Sequence, residues 1–113
     1  MQVCTPYENT DSYMFTKPYG QTGKDVTAIG FGGMRFDPAQ DIETNAELVV
    51  YAHSKGINYF DTAPGYDGGG SERTFGAAFK HMDRSKFFVS TKSNKADGGE
   101  LRTKPLIFAG DAL

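Results

Sequence analysis

The sequence predicts an α/β fold with a parallel sheet, introduced by a β-hairpin. Three observations carry that prediction. Short apolar runs at 26–31, 57–60 and 87–91 end in turn-forming or polar residues. Two segments of helical periodicity lie between them. The order strand, helix, strand, helix, strand then has spacings that suit βαβ crossovers, which place strands in parallel.

An aromatic-rich run over 13–18 meets the turn cluster Gly20-Gln21-Thr22-Gly23-Lys24-Asp25, so a hairpin is expected to run directly into the strand 26–31. Gly32-Gly33 stops that strand. Met34 to Pro38 reads as a loop, because Pro38 disfavours helix at Asp37. Thr44 and Glu47 have the spacing of a capping box, and Leu48, Tyr51 and Ala52 share one face of the helix that follows. Gly56 can take the left-handed conformation that closes it. After the strand 57–60, a polar, glycine-rich loop runs from Asp61 to Gly70.

Ser71 can cap a second helix, in which Phe75, Ala78, Phe79 and Met82 recur at the spacing of a single buried stripe. Gly76 weakens that helix unless it permits close packing. The run 87–91 lacks clean alternation, as expected of a strand covered on both faces. Beyond Asp97-Gly98-Gly99 a third helix can begin at Glu100, but Pro105 falls in its second turn and the pattern breaks.

A chain of 113 residues lies in the range of one small domain, which buries only roughly two-thirds of its unfolded surface. With 38% hydrophobic and 23% charged residues it is neither disordered nor fibrous by composition, while fourteen glycines imply many tight turns. A net charge of -2 without a basic run argues against a nucleic-acid partner. Cys4 is the lone cysteine, and His53 and His81 are far apart and read as helical surface, so neither a disulfide nor a metal site is expected. No apolar stretch approaches the roughly twenty residues of a membrane helix, and the polar start lacks the form of a signal peptide. The expectation is a cytoplasmic protein with a small-molecule partner.

The glycine cluster Gly30-Phe31-Gly32-Gly33 lacks the third glycine and the immediate helix of a dinucleotide-binding fingerprint. More informative are the points where a polar residue ends an apolar strand: Asp61 after Tyr59-Phe60, and Lys92 after Val89-Ser90-Thr91. In parallel α/β proteins, sites are built at such strand ends. Neighbouring strands lie about 5 Å apart, so Asp61 and Lys92 can face each other if their strands pair in register. Tyr66, on the loop after Asp61, can fold back and place its hydroxyl by the lysine. An adjacent ammonium would stabilise tyrosinate and make the phenol a better proton donor. Taken singly, the three residues are equally well a turn residue, a loop aromatic and a solvated lysine. Glu72, in a first helical turn, suits the helix dipole and is assigned no chemistry.

Taken jointly, the motifs resemble the opening third of the aldo-keto reductase superfamily. The resemblance is carried by Gly20-Gln21-Thr22-Gly23, by Ile29 to Arg35, by Gly56 to Tyr66, by Ser71-Glu72 and by Phe88 to Lys92. It extends from about Tyr13 to Leu101. It implies a (β/α)8 TIM barrel that reduces a small aldehyde or ketone with hydride from NADPH, or from NADH. It makes Tyr66 the proton donor, Lys92 the group that lowers its pKa and Asp61 the partner of Lys92, and it places the backbone of Gly33 and Met34 near the nicotinamide. The histidine that completes the family's tetrad has no counterpart at His53 or His81.

A barrel of this type takes about 250 residues, so the expectation is a flexible leader (1–12), an N-terminal barrel portion of about three β/α units (13–101) and a divergent tail (102–113). Such a truncated barrel is expected to be inactive alone. The alternative is a non-catalytic part-barrel that binds another chain, since an open strand edge favours self-association.

Overall fold

A computed structural model describes residues 14–93. Strands β1 (Thr16–Pro18) and β2 (Asp25–Thr27) form an antiparallel hairpin, in which Tyr19 N donates to Lys24 O across the glycine-bearing turn at 2.8 Å. Strands β3 (Phe31–Gly32), β4 (Tyr59–Asp61) and β5 (Phe88–Ser90) form a parallel sheet in the order β3-β4-β5. Helix α1 (Ile42–Ser54) connects β3 to β4 and helix α2 (Gly70–Phe79) connects β4 to β5. The predicted parallel α/β order is therefore present, with three strands and two helices among the described residues. The leader and tail, and the helix expected from Glu100, lie outside them.

One predicted strand is two. The run 26–31 is divided at Ala28–Gly30, and its halves join different sheets. Asn58 explains the break: its side chain accepts from Thr27 N at 2.8 Å and donates to Asp25 O at 3.0 Å, fastening the hairpin below β4. Thr27 Oγ1 donates onward to Ile29 O at 2.7 Å, so the chain must turn before β3 begins.

Side chains alternate along β4. Phe60 points to the helices and is fully buried, while Tyr59 and Asp61 point to the opposite face. The core around Phe60 consists of Ala46, Val49, Phe75, Ala78 and Phe87, all nearly inaccessible. The Phe60 ring meets Phe87 edge-on at 5.7 Å and Phe75 at 6.0 Å, arrangements favoured by the ring quadrupole. Each buried phenylalanine contributes roughly 1.5–3 kcal/mol. On the other face, the Tyr19 ring of the hairpin lies 6.0 Å from that of Tyr59.

Helix α1 starts three residues before the predicted capping box. Asp41 is the N-cap, its carboxylate accepting from Thr44 N at 2.7 Å. Its buried face is Asn45, Ala46, Val49 and Ala52, whereas Leu48 and Tyr51 point outward. The expected grouping of Leu48, Tyr51 and Ala52 fails because the buried stripe is set by small residues that let α1 pack closely against α2. Gly56 does end the helix, at φ +105°. His53 is half-buried rather than on the surface: Nδ1 lies 2.8 Å from Ile57 O and its ring packs edge-on against Phe60 and Phe87.

Ser71 does not cap α2. The helix begins at Gly70, and Ser71 sits fully buried in its first turn. Phe75 and Ala78 form the buried stripe, with Phe79 and Met82 packed against the same core. No helix among the described residues is long and apolar enough to cross a membrane.

Candidate active site

Parallel pairing brings three strand ends to one rim. Gly32, Asp61 and Ser90 are ladder partners in a row, so the Asp61 and Ser90 side chains share the face opposite Phe60, beside the bare backbone of Gly32. That face leaves the Asp61 side chain 37% exposed. Lys92 is not directly opposite Asp61, as simple register would have it. It stands two residues beyond Ser90 and reaches back, its Nζ donating to Asp61 Oδ2 and to Thr62 O, each at 2.9 Å.

Tyr66 completes the cluster. The chain folds back through a turn in which Tyr66 N donates to Ala63 O at 3.2 Å, and the half-buried Tyr66 ring then lies 4.9 Å from Lys92 Nζ. The hydrogen bond that Lys92 donates to Asp61 is the main reason the Lys92 pKa lies above the ordinary lysine value; partial desolvation opposes it, and the nearby Tyr66 hydroxyl adds to it. The structure thus brings Asp61, Tyr66 and Lys92 together.

Gly33 and Met34 lie on the same rim. Gly33 N donates to Asp61 O at 2.8 Å, which carries β3's pairing one residue past its end. Gly33 is buried, and a Cβ there would collide with the Phe75 ring and Ser71 Oγ, so its lack of a side chain is demanded by helix packing. Met34 is 53% exposed, and no atom lies within 4 Å of a Cβ built on Gly32. The rim is therefore unobstructed at Gly32 and exposed at Met34, whereas Gly33 can offer only backbone. His53 and His81 do not enter the cluster, and among the described residues no three metal-ligating side chains gather.

Two hydroxyl contacts beside the cluster were not foreseen from the sequence. Thr62 and Ser71 share a buried hydroxyl–hydroxyl bond of 2.7 Å, and Thr91 Oγ1 donates to Glu72 Oε1 at 2.7 Å. A signal for the first pair existed. A threonine following a buried strand and a serine preceding a buried helical stripe need partners, because buried hydroxyls rarely go unpaired.

The description of the Aldo/keto reductase family matches residues 28–105. The chain belongs to that family. It is 36% identical over 85 residues to the protein named Probable aldo-keto reductase 1 of Glycine max, covering 71% of this chain and 24% of that one. To the NADH-specific methylglyoxal reductase of Escherichia coli it is 40% identical over 70 residues, covering 62% of this chain and 21% of the relative. A crystal structure of a thermostable aldo-keto reductase bound to the inhibitor epalrestat superposes with a TM-score of 0.61 at 31% identity, over 69% of this chain and 30% of that structure. The chain spans about a quarter of the length of the curated relatives it matches. Strands β3 to β5 lie within the matched residues 28–105 and, among the described residues, form an open three-stranded sheet with the parallel α/β order of the aldo/keto reductase structures.

Proposed function

We propose that Asp61, Tyr66 and Lys92 form the proton-delivering part of a carbonyl reductase site. The observation that carries this reading is the placement of Lys92 Nζ, held 2.9 Å from Asp61 Oδ2 and 4.9 Å from the centre of the Tyr66 ring. The substrate class is a small aldehyde or ketone. When bound, NADPH or NADH supplies a hydride to the carbonyl carbon. The Tyr66 hydroxyl gives its proton to the carbonyl oxygen, so an alcohol forms and the phenolate left behind faces the Lys92 ammonium. Asp61 pairs with that ammonium and favours its charged form. Met34 and the backbone of Gly33 would lie against the nicotinamide, on the open part of the rim.

NADPH is the first cofactor to test, and NADH stands beside it because the Escherichia coli relative is named NADH-specific. That name also makes methylglyoxal a sensible first substrate. Tyr66→Phe in the full-length protein should lower carbonyl reduction about 10²–10⁴-fold while leaving cofactor affinity unchanged. Turnover equal to the unaltered protein would rule out Tyr66 as proton donor.

A second reading rests on the outer edges of β3 and β5, unpaired among the described residues, and on the exposed Leu48 and Tyr51. These surfaces favour association with another copy of the chain. Sedimentation as a monomer at micromolar concentration would count against it.

A further inference from the structure

We infer that the buried Thr62–Ser71 hydroxyl pair is the positioning device of this site: it fixes the Thr62 peptide, whose carbonyl oxygen shares the Lys92 ammonium with Asp61. The inference rests on the reading of Asp61, Tyr66 and Lys92 given above.

Asp61 alone is a poor holder. Its bond to Lys92 joins two side chains that are 37% and 44% exposed, and an ion pair in that setting gains little over hydration while losing side-chain entropy. It does not by itself keep a long, flexible lysine over one ring. Thr62 O is a different kind of acceptor, because it belongs to the backbone and cannot swing away.

Thr62 makes three hydrogen bonds through adjacent atoms. Its N–H donates to Ser90 O of β5 at 2.8 Å, its hydroxyl pairs with Ser71 Oγ of α2 at 2.7 Å, and its carbonyl accepts from Lys92 at 2.9 Å. The hydroxyl bond is buried, with Thr62 3% and Ser71 0% exposed, so water does not compete for it. Threonine is branched at Cβ and stiff at χ1, so a fixed hydroxyl means a fixed peptide. Ser71 in turn has little room to retreat, since Gly33 packs against it from β3. The lysine's second acceptor is therefore anchored to helix α2, and a shift of α2 is felt as a shift of the ammonium.

The test uses Thr62→Val, Ser71→Ala, the double variant and Thr62→Ser in the full-length protein. Each single loss strands one buried hydroxyl. The double variant leaves none unpaired and should unfold close to the unaltered protein. The readouts are NMR titration of the Lys92 side chain and steady-state carbonyl reduction. In the double variant, Lys92 should titrate closer to an ordinary lysine, and kcat should fall tenfold or more with KM within about twofold. Thr62→Ser, which keeps the hydroxyl, should restore both. A folded double variant whose Lys92 titrates as in the unaltered protein overturns the inference. The titration requires no turnover, so a protein that reduces no carbonyl compound refutes the reductase reading while this comparison still decides the positioning role.

Discussion

Gly33→Ala separates two reasons for a glycine at the rim, helix packing and approach of a cofactor. A Cβ at Gly33 would overlap Phe75 Cε2 and lie 3.0 Å from Phe75 Cζ, as well as striking Ser71 Oγ. Neither neighbour can yield. Phe75 is 2% exposed and lodged among the rings of Phe36 at 5.4 Å, Phe79 at 5.6 Å, Phe60 at 6.0 Å and Phe31 at 6.1 Å. Ser71 is fully buried and bonded to Thr62. Helix α2 must move away from β3 instead.

Overpacking of this kind costs about 1–3 kcal/mol, which for a domain of this size lowers the thermal midpoint by roughly 5–20 °C. Gly32→Ala is the control one residue away. No atom lies within 4 Å of its added methyl, and neither glycine has a positive φ, so backbone strain does not enter. Its midpoint should stay within about 3 °C of the unaltered protein. Thermal unfolding followed by circular dichroism compares the two directly. Equal midpoints for Gly33→Ala and Gly32→Ala would refute the packing account and leave cofactor approach as the reason for Gly33.

Other perturbations follow from the same contacts. Phe60→Ala empties the centre of the aromatic core and should cost about 3–5 kcal/mol in urea unfolding, whereas Phe15→Ala, at a residue 66% exposed, should change it by less than about 0.5 kcal/mol. Gly56→Ala should destabilise by about 1 kcal/mol or more, because φ is +105° and a Cβ would come within 2.9 Å of Met14 Cβ. The bonds from Thr44 hold the Asp41 carboxyl below the usual aspartate range. The unfolded chain therefore takes up that proton first on acidification, so the cap's stabilisation is full above pH about 4 and is lost as pH falls through the lower folded value. In Asp41→Asn, which keeps a cap oxygen without the titration, that part of the acid sensitivity should vanish; an unchanged profile assigns it elsewhere.

The order of elements was legible because each depends on local chemistry: the turn glycines before β2, Gly56 after α1 and the spacing of Phe75 and Ala78. What was not legible depends on contacts distant in sequence. Nothing near residues 26–31 shows that Asn58 divides the run between two sheets. Leu48 and Tyr51 fit a helical stripe as well as Ala46 and Val49 do, and only the close packing of α1 on α2 selects the smaller pair. At the site, Asp61 and Lys92 were visible as polar residues ending apolar strands. Their partner Thr62 was not, because its significance comes from a backbone carbonyl and a serine nine residues away.

Strand β4 shows why stability and chemistry are joined here. Within Tyr59–Asp61 the alternation of a strand sends Phe60 into the core and Asp61 to the rim, and the next residue, Thr62, returns to the helix side to meet Ser71. The core that holds Phe60 and Phe75 therefore also fixes the height of α2 above the sheet. Through Ser71 and Thr62 that height sets the second acceptor of Lys92. Core substitutions that let α2 drift should thus alter the lysine's titration before the chain unfolds, while substitutions on the outer face of α1, at Leu48 or Tyr51, should not. A Phe75→Leu variant compared with Leu48→Ala, both titrated at Lys92 well below their unfolding midpoints, separates the two. If Lys92 responds equally to both, the coupling does not run through α2.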